Sequence, residues 1–188
     1  MNIVLLAGSN AGKKSRAVID MTRELFTEFD EPISTQIYDL KELDMPIADG
    51  KNYLDYGGEF TELLQSIMDA DALLIATPIY NAGLPSALVN VIGALPDKAL
   101  EKKAVGIIVT VGSNNHYLVA EYQLKPMLSY LKAQVVPSYV FINELSFQGA
   151  EIIDGDVRFR LHDLLLDLIL LTKGVRFMEA EEEKLLGF

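Results

Sequence analysis

The sequence predicts an α/β protein built on a doubly wound, five-stranded parallel sheet with helices on both faces. Three observations carry this prediction. The runs IVLLA, ALLIAT and VGIIVTV are apolar on consecutive rather than alternate residues, the mark of parallel strands covered on both sides. Segments of helical period separate the strands, so that strand and helix alternate five times. Short loops carrying Gly, Ser, Asn and Pro follow the first and third strands and run straight into helices.

Taken in order, the strands are read at Ile3–Ala7, Thr35–Leu40, Ala72–Thr77, Val105–Val111 and Val135–Ile142, all rich in β-branched residues. The helices are read at Ser15–Phe29, Glu59–Asp69, Pro85–Leu95, Tyr117–Lys132 and Phe159–Leu171. The expected strand order is 2-1-3-4-5, which places a switch point between the loops after strands one and three. Two stretches are irregular. Asp39–Gly58 is a long connection, and Glu144–Asp156 contains an Asp154–Gly155 pair expected to turn a hairpin. Residues 1–178 read as one domain, and 179–188 as an acidic tail expected to fray around Glu179–Lys184.

Composition removes several classes of function. The chain has 188 residues, enough to bury a full core, and its longest apolar runs stop well short of a membrane span. It opens without a signal-peptide pattern, so a cytoplasmic location is expected. With no cysteine there is no disulfide, thiolate metal site or cysteine nucleophile. A net charge of −11 repels phosphate backbones and argues against nucleic-acid binding. An anionic ligand must then be held by local donors, such as backbone N–H groups at a helix N-terminus.

Gly8–Ser15 (GSNAGKKS) offers such donors: two glycines, two serine hydroxyls and the Asn10 amide, with Arg16 following at the helix start. Three residues rather than four separate Gly8 from Gly12, and Lys13 is followed by Lys14, so the ATP-binding P-loop spacing fails. Gly8-Ser9-Asn10 likewise breaks the G-x-G-x-x-G dinucleotide fingerprint. The plainer reading of the same loop is an ordinary polar strand–helix connection. Thr77–Asn90 (TPIYNAGLPSALVN) suits a flat, partly polar ring: Pro78 stiffens the strand exit, Tyr80 supplies a face, and Asn81 and the backbone near Ala82 and Gly83 supply hydrogen bonds. Pro85 fits the first turn of the next helix. Here too, a strand end with surface packing of Tyr80 is the plainer reading. The loop after strand four, Gly112–His116, is the expected third wall.

These two loops resemble those of the NADPH-dependent FMN reductase family of flavodoxin-like proteins, whose pattern is G-S-x-x-x-x-x-S followed by T-P-x-Y-N-x-x-x-P-x-x-L-x-N. Gly8, Ser9 and Ser15 match the first, and Thr77, Pro78, Tyr80, Asn81, Pro85, Leu88 and Asn90 the second. Asn10 stands where many relatives carry arginine or proline. The segments Leu95–Leu100 and Glu121–Pro126 look most like the branch that supplies reduced flavin to sulfonate-scavenging monooxygenases. The resemblance implies FMN as cofactor and NADPH or NADH as co-substrate. It assigns Ser9, Ser15 and Arg16 to the phosphate with Asn10 and Ala17 beside them. Pro78, Ile79, Tyr80, Asn81 and Ala82 would frame the ring, and Gly112 and Ser113 its far edge. No residue is singled out as a proton-transfer catalyst, which suits a reaction whose electrons the cofactor carries.

The acceptor implied is free FMN, a quinone or an azo compound. The competing readings are a quinone or azo-dye reductase on the same fold and a non-enzymatic flavodoxin-type carrier, although the T-x-T-G-x-T loop of such carriers is missing. A regulatory or binding module that has kept the fold is a third. His116 falls at the expected site mouth, with a ring contact and a surface position both open, and His162 reads as structural or exposed. No metal-ligand spacing and no G-x-S-x-G elbow occurs, so no metal and no acyl transfer are expected. The helix Ser86–Leu95 is apolar nearly all round, which predicts a homodimer or homotetramer with Tyr117–Leu131 as the opposing surface.

Overall fold

The computed structural model describes residues 1–112, 116 and 118–187. Its first strand, β1 (Asn2–Ala7), leads into helix α1 (Lys14–Phe26), and β2 (Ser34–Asp39) pairs parallel to β1 from Asn2↔Ser34 to Ala7↔Asp39. After a long connection come α2 (Gly58–Asp69), β3 (Ala72–Pro78), α3 (Ser86–Ala94) and β4 (Ala104–Val111). β3 inserts between β1 and β4, with Ile3↔Ala72 on one side and Ala72↔Ala104 on the other. The sheet therefore has the expected order 2-1-3-4-5, and the chain reverses between β1 and β3.

Strand pleating sends alternate side chains to the two faces, and each face has its own core. Val4, Leu6, Leu73, Ile75, Val105 and Ile107 pack with Phe60, Leu63, Leu64 and Ile67 of α2 and with Leu88 and Val91 of α3. Ile3, Leu5, Leu74 and Ile108 face the other way, onto Val18 and Ile19 of α1 and a run of leucines in the last helix. Gly106 lies on that second face. A Cβ there would come within 2.8 Å of Leu74 Cδ1 and 3.6 Å of Leu168 Cδ2, so its missing side chain lets the last helix approach the sheet.

Four details depart from expectation. The fifth strand is split into β5 (Gln134–Val135) and β6 (Val140–Asn143), both parallel to β4. Ala104 faces Gln134 but Ile108 faces Val140, so two extra residues bulge out around Pro137, which has no N–H for the ladder. The helix expected over Tyr117–Lys132 has its first residue outside the described residues. It contains a π-turn, Ala120–Leu124, before α4 (Lys125–Tyr130). Lys125 N–H bonds the Ala120 carbonyl, five residues back, and the widened turn immediately precedes Pro126, which cannot donate.

A hairpin does occupy the segment after β6, but β7 (Phe147–Gln148) and β8 (Glu151–Ile152) turn at Gly149–Ala150. Asp154 instead caps the last helix, accepting from Asp156 N–H at 3.0 Å. That helix, α5 (Gly155–Leu186), runs through the acidic segment expected to fray. Along this stretch Lys102 reaches Glu179 at 3.3 Å and Glu182 at 3.4 Å from outside the helix, and Lys184 pairs with Glu181 within it. Among the described residues, no helix is long and apolar enough to cross a membrane.

Candidate functional site

The loop after β1 is drawn onto the centre of the sheet. Gly8 N–H bonds the Ala76 carbonyl at 2.8 Å, and a Cβ on Gly8 would lie 3.3 Å from Leu88 Cδ2. A side chain there would press on Leu88 by a few tenths of an ångström, so glycine suits a loop that crosses this close to β3 and α3. Ser9 Oγ then accepts from Ala11 N–H at 3.2 Å and also hydrogen-bonds the Ala11 carbonyl, which folds the loop back on itself. Gly12 sits at φ +85°, a conformation that side chains resist. Ser15, in the first turn of α1, is 2 % exposed and its hydroxyl has no hydrogen-bond partner. A buried hydroxyl left unpaired is costly unless something else completes it.

The loop after β3 is a tight two-residue turn. Tyr80 N–H donates to the Gly83 carbonyl at 3.0 Å and Gly83 N–H to the Tyr80 carbonyl at 2.9 Å, with Asn81 and Ala82 between them at φ +49° and +59°. An alanine in the left-handed region is strained, and Gln123 compensates from the π-turn. Its amide donates to the Ala82 carbonyl at 3.0 Å and accepts from Leu84 N–H at 3.3 Å. Tyr80 reaches across to the first loop, its hydroxyl 2.8 Å from both the Ala11 carbonyl and Ser9 Oγ.

Between the loops lies a cavity of about 590 Å³, a size typical of small-molecule sites. Ser9, Gly12, Lys13, Lys14 and Ser15 form one wall, and Pro78, Ile79 and Tyr80 another. Thr110, Val111 and Gly112 at the end of β4 form the floor, and Glu144 with Gly149 and Ala150 of the hairpin turn closes the far side. One end is therefore polar and cationic, and the middle is lined by apolar side chains. Glu144 Oε1 accepts from Lys14 Nζ at 2.5 Å, and this hydrogen bond holds the Glu144 carboxyl below the usual carboxylate range. Lys14 Nζ also sits 5.4 Å from the centre of the Phe147 ring.

The structure brings Ser9, Ser15, Pro78, Ile79, Tyr80 and Gly112 together on this cavity, and Ser113 lies outside the described residues. The other residues singled out from sequence do not line it. Asn10 turns away and caps α3, its Oδ1 accepting from Ala87 N–H at 3.2 Å and its Nδ2 donating to Ser86 Oγ at 3.1 Å. Arg16 is tied one turn along α1 to both oxygens of Asp20 at 3.1 Å. Ala17 is taken up by its helical bond to the Lys13 carbonyl, and Asn81 and Ala82 are the exposed tip of their turn. His116 is half-buried away from the cavity wall, while His162 stacks on Phe29 at 4.7 Å. Asn90 pins the long connection, accepting from Ala48 N–H at 2.8 Å and donating to the Pro46 carbonyl at 2.9 Å.

Sequence reasoning missed Glu144, Thr110, Gly149, Ala150 and Gln123. Each reaches the site through topology rather than through a motif. Lys13 and Lys14 stood in view inside the first loop, but only as a reason to reject the P-loop. Among the described residues, no cluster of three metal-ligating side chains occurs.

Comparison with known proteins agrees with this geometry. Residues 1–146 match the model of the family described as NADPH-dependent FMN reductase. An NAD(P)H-dependent FAD/FMN reductase of Geobacillus thermodenitrificans is 27% identical over 170 residues, 90% of this chain and 92% of the relative. An FMN reductase (NADPH) of Escherichia coli is 44% identical over 85 residues, covering 45% of this chain and 43% of the relative. The apo structure of an NADH:FMN oxidoreductase superposes with a TM-score of 0.73 at 23% identity, over 92% of this chain and 89% of that one. The architecture is flavodoxin-like.

Proposed function

The chain belongs to the NADPH-dependent FMN reductase family, and we propose that it reduces FMN with NAD(P)H at the cavity between the Gly8–Ser15 and Thr77–Asn90 loops. The single observation that carries this placement is Ser15: a buried, unpartnered hydroxyl aimed into the cationic end of a cavity whose middle is apolar. A phosphate ester needs such a donor, together with the backbone N–H groups at the start of α1. Ser9, Ser15, Lys13 and Lys14 would hold the phosphate. Pro78, Ile79, Tyr80 and Gly112 would frame the ring.

FMN, when bound, supplies the hydride chemistry. The residues of the chain bind and orient it, and Tyr80 closes one loop over the other. Asn10, Arg16 and Ala17 act on the phosphate only through the loop and helix they brace, and Asn81 and Ala82 through the shape of their turn. We read residues 1–178 as the flavin-binding domain, followed by an acidic segment that continues its last helix as far as Leu186. We place the enzyme in the cytoplasm, where NAD(P)H is available.

The acceptor is a small molecule. Free FMN is favoured over a quinone or azo compound by the family match, and a flavin-dependent monooxygenase is the consumer of the product. Two apolar features support a homodimer or homotetramer. α3 buries Ala87, Leu88, Val91, Ile92 and Ala94 in its own subunit but leaves Val89 exposed beside Ile47. Tyr122 and Tyr130, on the segment expected to oppose it, are both about three-quarters exposed.

The test is direct. The purified protein is assayed for oxidation of NADPH and NADH with FMN, a quinone and an azo dye, while sedimentation gives the oligomeric state. FMN-dependent NAD(P)H oxidation is the expected result. Flavin binding without NAD(P)H oxidation would return the protein to the electron-carrier class.

A further inference from the structure

We propose that Glu144 is a built-in competitor for the flavin phosphate, which makes FMN an exchangeable ligand rather than a permanently held one. The inference rests on the reading that the Gly8–Ser15 end of the cavity takes the phosphate of FMN.

Lys13 and Lys14 are the two cationic side chains that line the cavity, and Glu144 is the one carboxylate, among the described residues. Arg16, the other basic residue nearby, is committed to Asp20. Glu144 follows directly on β6, where the Asn143 side chain accepts from Leu145 N–H at 2.9 Å and fixes the turn. Its two oxygens meet different neighbours at the cavity wall: Oε1 accepts from Lys14 Nζ at 2.5 Å, and Oε2 lies 3.4 Å from where a Cβ on Gly112 would stand. The hydrogen bond from Lys14 lowers its pKa, so the group is anionic at neutral pH.

A phosphate monoester arriving at Ser15 brings a charge of about −1.5 to −2. It must draw Lys14 away from a carboxylate that already holds it, and it must bear that carboxylate's repulsion. The chain already carries a net charge of −11, so no general field offsets this. The donors present would bind FMN more tightly if Glu144 were neutral. A weakened phosphate grip lets reduced flavin leave, as a reductase that delivers it to a separate acceptor requires. The other role open to the same ion pair is a plain tie between α1 and the wall made by the hairpin.

Titration of the full-length protein separates the two, with flavin fluorescence read for FMN and for riboflavin, which shares the ring but lacks the phosphate. Glu144→Gln is expected to tighten FMN by about 2- to 5-fold and to leave riboflavin unchanged. Lys14→Met should weaken FMN by a similar factor, again without effect on riboflavin. Raising salt to about 0.5 M should narrow both differences. If Glu144→Gln leaves FMN affinity unchanged, or weakens FMN and riboflavin together, the competitor role is overturned and the pair is a structural tie. A wild-type protein that binds riboflavin and FMN equally well would instead remove the phosphate site itself, and the inference with it.

Discussion

Ser15 and Ala82 are residues whose cost to the fold is visible and whose benefit lies in the site. The Ser15 hydroxyl is buried without a partner, so Ser15→Ala should raise unfolding free energy slightly, by up to about 1 kcal/mol, while weakening FMN about tenfold. Thermal melts paired with FMN titration read both changes, and a fall in both would mean that the hydroxyl is structural. Ala82 holds φ +59° at the tip of the ring loop. Ala82→Gly relieves the left-handed strain but adds freedom to the unfolded chain, for a net gain of about 0.5–1 kcal/mol in denaturant unfolding. Gln123→Ala removes both side-chain bonds to this turn, and should raise KM for flavin more than it lowers melting temperature. From sequence Asn81 is expected to hydrogen-bond the ring, and the structure places it at positive φ in the strained turn. The brace of that turn was not legible in the sequence, because Gln123 arrives from 41 residues downstream of Ala82.

At the scale of elements, the central strands depend on how closely helices approach them. Gly106→Ala would drive a methyl into Leu74 Cδ1 in the fully buried layer beneath α5, and should destabilise by about 1–3 kcal/mol without moving the cavity residues. Chemical denaturation measures this, and an unchanged midpoint would show that α5 is loosely seated. The apolar strands and amphipathic helices were legible because burial on two faces leaves a consecutive apolar run, whereas burial on one face leaves a periodic one. The irregular elements were less so. The split between β5 and β6 and the π-turn ahead of α4 both fall at prolines, whose missing N–H marks where a ladder fails but not how the chain repairs it. Asp154–Gly155 was read as a hairpin turn and is a helix start, since aspartate serves both purposes and only the pairing of β7 with β8 decides between them.

Across the whole molecule, one carboxylate ties three distant segments. Asp71 Oδ2 accepts from Asn2 N–H at 2.6 Å and pairs with Arg176 of α5 at 2.6 Å, joining the starts of β1 and β3 to the last helix. Burial alone would raise its pKa, but the Asn2 N–H and the Arg176 guanidinium outweigh it and the value is lowered. The sign follows from this. The aspartate binds its proton less readily in the folded state, so its contribution is complete above the ordinary value of 3.8 and is lost as pH falls through the lower folded value. Asp71→Ala should cost about 1–2 kcal/mol at pH 7 and less at a pH well below 3.8, as measured by urea unfolding at the two pH values. An equal cost at both would place its effect in packing rather than charge.

By itself, the sequence determined the class of the fold, the strand order, the two loops that meet at the switch point and the family to which the chain belongs. The fold class, strand order and loops depend on local pattern (consecutive apolar strands, helical period, and Gly, Pro and Asn at strand exits), whereas the family rests on the resemblance of those loops to its motifs. Only the tertiary structure decided which residues of those loops face the cavity. Ser15 and Arg16 are neighbours in the chain, yet the helical step of about 100° per residue sends one inward and the other to Asp20. Asn10 was claimed by the end of a helix 77 residues away, and Glu144 reached Lys14 across 130 residues. Contacts at that separation are made by topology and close packing, and local pattern contains no term for them.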